Sequence, residues 1–152
     1  MEKRQNQRSR QMEIPSDISY IRKIGTEIED FLKVHDIDPS SIFDVRLSVE
    51  EAIRNSIIHG NKNDKKLPVL IKYSLEGGKF KIEIEDRGAG FDHRRVPDPT
   101  TDENLLREGG RGVFLIKKLM DIVKYSGRGN RINMVKFIRK TKGEGYAGKA
   151  RR

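Results

Sequence analysis

Cysteine is absent from the 152 residues, which removes disulfides and thiolate metal sites from consideration. Long apolar runs are absent too. Stretches such as VFLI at 113–116 are far too short to span a bilayer, and residues 1–10 (MEKRQNQRSR) lack the apolar centre of a signal peptide. The cytoplasm is therefore the expected compartment, with no membrane partner. The three histidines, His35, His59 and His93, fall in different predicted elements with no spacing for a shared metal, and no Ser, His and Asp set suggests a hydrolase. The length suits one domain with a single core.

A formal net charge of +9 suggests nucleic acid until it is divided along the chain. Residues 1–10 carry four basic and one acidic side chain, and residues 136–152 carry seven and one, leaving 21 of each sign in between. The body is neutral, so a basic groove on the fold and direct nucleic-acid binding are not expected. Residues 1–10 and 141–152 read as basic, flexible tails around a domain at 11–140. GEGYAGKA at 143–150 nearly spells a phosphate-binding loop. It is a decoy, because Ala150 replaces the metal-binding hydroxyl and only two residues follow it.

Periodicity predicts an edge strand over MEIPS (12–16), with Ser16 placed to cap a helix in which Ile18, Ile21, Gly25, Ile28 and Leu32 recur on one face to about Val34. A second helix, capped by Ser40 or Ser41, runs to Gly60, where NKND stops it. Two alternating strands follow, with Val69, Ile71, Tyr73 and Leu75 on one side of the first and Phe80, Ile82 and Ile84 on one side of the next, joined at Glu76-Gly77-Gly78. Residues 91–108 read as a long loop with one possible helical turn at ENLL, of a length usually tied to function. A third helix begins at VFLIKKLM, and a hairpin of DIVKYS and INMVKFI around GRGN closes the domain. The order implies an α+β fold, a two-layer sandwich with helices on one face of a mainly antiparallel mixed sheet.

Within EEAIRNSIIHGN (50–61), Ser48, Glu51, Asn55 and His59 share one polar stripe of the second helix, flanked by apolar positions. The bland reading is an uneven helix face with a Glu51–Arg54 ion pair. A second stripe, Arg46, Glu50 and Arg54, alternates in sign as a solvated face would. Asp86 is the sharpest anomaly, since strand parity aims it inward with Phe80, Ile82 and Ile84, where a carboxylate needs a donor. Either it caps the RGAG turn, or the donor is a ligand's exocyclic amino group such as that of adenine, with Gly88 and Gly90 allowing close approach. Gly109, Gly110 and Gly112 open the third helix, either as a plain connector or as a phosphate site built from free amides. An Asn carbonyl such as that of Asn55 suits magnesium, which takes few protein oxygens.

In order and spacing, EEAIRNSIIHGN, EDRGAGFD and GGRGVFLIKKLMD resemble the N box and the two glycine boxes of the GHKL ATP-binding fold shared by histidine kinases and gyrase-type ATPases. The resemblance covers about residues 11–140. The small size and the E-A-x-x-N-x-x-x-H-G form are similar to the anti-sigma-factor serine/threonine kinases. That resemblance implies Mg-ATP as cofactor, with Glu51 as base or orienting carboxylate for an acceptor hydroxyl and Asn55 holding Mg2+ on the phosphates. It further implies that Asp86 takes the adenine amino group over Gly88 and Gly90. Gly109, Gly110, Arg111, Gly112 and Val113 would bind phosphate, and residues 93–108 would form a lid. His59 matches the motif, with either a supporting place near the phosphates or a packing role. The implied partners are an anti-anti-sigma factor phosphorylated on Ser or Thr, a sigma factor that is sequestered, and a second copy in a homodimer. A nucleotide-gated regulator of the same fold that transfers no phosphate is the alternative.

Overall fold

The structure is a computed structural model and describes residues 8–89 and 110–141. Strand β1 (Ser9–Pro15) leads into helices α1 (Ser19–Val34) and α2 (Pro39–Asn55), and a π-helical turn, Ser56–Gly60, extends α2. Then come β2 (Pro68–Glu76), β3 (Lys79–Glu85), α3 (Gly110–Leu119), β4 (Ile122–Ser126) and β5 (Arg131–Phe137). The five strands form one sheet in the order β1-β2-β3-β5-β4. The expected mixed sheet is antiparallel at every pairing among the described strands. No helix among the described residues is long and apolar enough to cross a membrane.

Alternation in β2 and β3 works as the sequence implies: Val69, Ile71, Tyr73, Leu75, Phe80, Ile82 and Ile84 are all buried, because a period of two puts them on the one face that the helices cover. From the other layer, Ile28, Phe31 and Leu32 of α1 and Val45, Val49 and Ile53 of α2 complete the core. Phe31 meets Tyr73 edge-on at 5.0 Å. β1 starts at Ser9, inside the stretch read as a tail, and Arg10 lies over the Phe31 ring at 5.3 Å. Thr141, the first residue read as C-terminal tail, donates its backbone N–H to Asp36 at 2.6 Å.

Both expected helix caps differ. Ser16 donates to the Leu67 carbonyl at 2.6 Å, and Asp17 Oδ1 instead accepts from the Ser19 N–H at 2.9 Å. Asp38 caps α2 by accepting from the Ser41 N–H, with Pro39 in the first turn, where its missing N–H costs nothing. The stripe expected to be solvated also differs. Arg46 donates to Glu29 of α1 at 3.0 Å and to Glu50 at 3.3 Å, and Gly25 of α1 packs directly on the Glu50 carboxylate. Alternating charge there serves a helix–helix seam, and only Arg54 is exposed. With α1 on one side and α3 on the other, α2 is the central helix.

Candidate functional site

The other polar stripe of α2 faces α3. A side chain on Gly112, in the first turn of α3, would overlap the Glu51 carboxylate, so glycine is what lets the two segments touch. Glu51 is half-buried, and Arg54 donates to its Oε1 at 3.2 Å, which is the ion pair of the bland reading. Asn55, also half-buried, is the last α-helical residue before the backbone widens into the π turn. Such insertions concentrate at functional sites because they rotate the next residues off the α-helical stripe. His59, which follows, is exposed.

Beyond the π turn lies Asp86, 7% exposed and just past the end of β3. Its Oδ1 accepts from the Gly88 N–H at 2.8 Å, so the turn-cap reading holds. That cap leaves acceptor capacity, since an ionised carboxylate offers about four lone-pair sites. Among the described residues no ion pair reaches Asp86. Burial pushes its carboxyl above the usual carboxylate range, with hydrogen bonds from Gly88 and Ser56 and the charge of Arg128 pulling back. Gly60 and Gly88 close around it: a side chain on Gly60 would overlap the Asp86 carboxylate, and one on Gly88 would overlap the Gly60 carbonyl.

Two buried asparagines that the sequence reading passed over as a helix stop and a hairpin turn secure this corner. Asn61, 1% exposed, donates to Ser16 Oγ at 2.9 Å and to the Pro68 carbonyl at 3.1 Å, while its Oδ1 accepts from the Arg87 N–H at 2.7 Å. Asn130 donates to the Asp86 carbonyl at 2.8 Å, and the Asp86 N–H donates to the Asn130 carbonyl at 2.9 Å. Asparagine is so common in turns that its type and place alone carried no signal for this role.

At the start of α3, Gly110 opens the helix and Arg111 is exposed, while Val113 is 4% exposed. The Val113 side chain is thus buried, and its backbone N–H is the group it can offer an anion. The first-turn amides of α3 lack helical partners and point along the positive end of the helix dipole. Gly90, Gly109 and the lid expected at 93–108 lie outside the described residues. The structure therefore brings together Glu51 with Gly112 and Asp86 with Gly88. No group of three or more His, Asp or Glu side chains suited to a metal exists among the described residues.

Residues 14–136 match the histidine kinase-like ATPase domain family. The chain is 31% identical over 138 residues to the proteins named serine-protein kinase RsbW of Staphylococcus aureus strains JH9 and Newman, covering 86% of this chain and 87% of theirs. In fold it is similar to a solved structure of the RsbU and RsbW domains of Rv1364c from Mycobacterium tuberculosis, with a TM-score of 0.62 at 15% identity. That likeness covers 90% of this chain and 34% of the solved one. With its α+β sandwich, its order of motifs and these relatives, the chain belongs to the histidine kinase-like ATPase family and, within it, to the anti-sigma-factor serine/threonine kinases.

Proposed function

We propose that this protein is a Mg-ATP-dependent serine/threonine kinase that phosphorylates an anti-anti-sigma partner and, in its other complex, sequesters a sigma factor. The observation that carries the reading is the contact of Gly112 with Glu51, because it sets a carboxylate against the helix N-terminus suited to phosphate. Phosphoryl transfer needs placement and charge neutralisation more than covalent chemistry. Glu51 takes or orients the proton of the acceptor hydroxyl. The oxygen of that hydroxyl then bonds the γ-phosphorus as the bond to the β-phosphate oxygen breaks, and ADP leaves.

The remaining roles follow the same layout. Asp86 accepts from the adenine amino group, and its burial with no ion pair among the described residues suits a ligand donor. The amides of Gly110, Gly112 and Val113 and the exposed Arg111 offer donors and charge to the phosphates. His59, exposed on the π turn, stands ready for a supporting contact there. Asn55 would supply Mg2+ with one protein oxygen, and the ion, when bound, neutralises phosphate charge; a single ligand of this kind fits a cation that prefers phosphate and water. A homodimer is part of the same proposal.

The Glu51–Arg54 ion pair favours a second reading, a nucleotide-binding regulator in which Glu51 is structural. Substitution of Glu51 by Gln decides between them. On the kinase reading ATP affinity by calorimetry is kept, while phosphopeptide mapping of an anti-anti-sigma protein co-purified from the same cells finds no transfer. Unchanged transfer by the variant removes Glu51 from the mechanism.

A further inference from the structure

The segment Asp86–Gly88 is held from outside at four of its six backbone polar groups. Asn130 takes both the N–H and the carbonyl of Asp86, Asn61 takes the Arg87 N–H, and Arg128 Nε donates to the Gly88 carbonyl at 2.7 Å. The Gly88 N–H closes the turn on the Asp86 side chain itself. Three of these four outside ties come from the short turn between β4 and β5. Topology explains why: β3 and β5 are neighbours, Glu85 pairs with Arg131, and the next residues outward are Asp86 and Asn130.

Resting on the reading of Asp86 as the base-selecting acceptor, we propose that Arg128 is a positioning residue for nucleobase selection, holding the turn that aims Asp86. The Gly88 N–H, together with Ser56, orients the carboxylate, and Gly88 has its far side fixed by Arg128. Loss of that tie frees the exit of the turn, so the Asp86 oxygens no longer keep one orientation toward the base. Arg128 is exposed, and its partner is a backbone carbonyl already at the surface of the turn. Its removal therefore leaves no buried group unpaired in the core, unlike removal of Asn61 or Asn130. The guanidinium charge contributes a second effect, since it opposes the upward push of burial on the Asp86 carboxyl.

The experiment compares ATP and GTP binding to the full chain with magnesium, by titration calorimetry, for the wild type, Arg128→Ala and Arg128→Gln, with thermal melting of each. Arg128→Ala is expected to lose about fivefold in ATP affinity, the size of one net hydrogen bond. GTP affinity should change little, so the preference for ATP narrows while the melting temperature holds. Arg128→Gln, which keeps an N–H donor without the charge, should recover most of the preference. An Arg128→Ala protein that keeps the wild-type ratio overturns the proposal and leaves the Asp86 reading standing. Equal weakening of ATP and GTP also overturns it, because that marks a charge effect on phosphates. A wild type that binds ATP without preference over GTP, or binds neither, overturns the Asp86 reading and the proposal together.

Discussion

Asp86 caps the turn at Gly88 with only part of its acceptor capacity, which leaves lone pairs for the ligand donor proposed above. Its burial has a stability consequence whose sign can be worked out. A carboxyl raised in the fold from its ordinary value of 3.8 binds a proton more readily in the native state, so stability falls as pH rises through the window from 3.8 to the raised value. Above that window the ionised group is held at a cost. Asp86→Asn keeps an acceptor for Gly88 and removes the charge. The unliganded variant should therefore be at least as resistant to urea as the wild type at pH 7, with any advantage shrinking as acidification protonates Asp86. Its preference for ATP over GTP should fall in titration calorimetry. A variant that is less stable at pH 7 than in acid, relative to wild type, contradicts this account. Inward parity in KFKIEIED made Asp86 legible from sequence, since a period of two needs no knowledge of the neighbours. Asn61, Arg128 and Asn130 were not legible, because the turn residues they hold, Asp86 to Gly88, are 26 to 44 residues away along the chain.

At the scale of the element, α2 was readable as a helix with two polar stripes, but not what each stripe meets. Periodicity reports which residues share a side, whereas the identity of the facing element depends on packing that a single helix does not encode. Arg46 and Glu50 face α1, and Glu51 faces α3, so a stripe assigned to water turned out to be a seam. The π turn was equally invisible, since SIIHG has the apolar spacing of an ordinary helix end. A third seam joins β5 to both α2 and α3. Lys136, with a side chain only 14% exposed, points to the helical layer and donates to Asp44 at 2.9 Å and to the Leu119 carbonyl at 2.7 Å. Its strand position reads as one more exposed lysine in a basic chain end. Lys136→Met should lower the urea unfolding free energy by about 2 kcal/mol, since it strands a half-buried carboxylate and a helix-end carbonyl. A double-mutant cycle with Asp44→Asn should then return a coupling above roughly 0.5 kcal/mol. Additive losses would mean that the lysine's effect does not run through Asp44, leaving its bond to the Leu119 carbonyl as the source.

For the whole molecule, the sheet order decides which distant segments become neighbours. Placing β5 between β3 and β4 sets the end of β3 beside the last turn, and placing α2 centrally sets Glu51 under the start of α3. The described parts of all three motifs are thus linked along one edge of the sandwich, Glu51 with Gly112 and Gly60 with Asp86. A ligand spanning that edge must couple to global unfolding, since it contacts segments from both layers that separate when the core opens. Anything that binds only the native state stabilises it by RT ln(1 + [L]/Kd), about 2.7 kcal/mol at a hundredfold excess over Kd. For a chain of this size each kcal/mol shifts the midpoint by about 2–4 °C, so saturating Mg-ATP should raise the melting temperature by roughly 5–10 °C. GTP should give a smaller shift because it offers Asp86 a carbonyl in place of an amino group. EDTA should remove most of the ATP effect by taking away the cation that Asn55 is proposed to hold. Scanning calorimetry with the full chain checks all three arms. A midpoint unmoved by millimolar Mg-ATP would mean that this edge binds no nucleotide, and an ATP shift insensitive to EDTA would leave the fold's nucleotide site intact but take magnesium out of it.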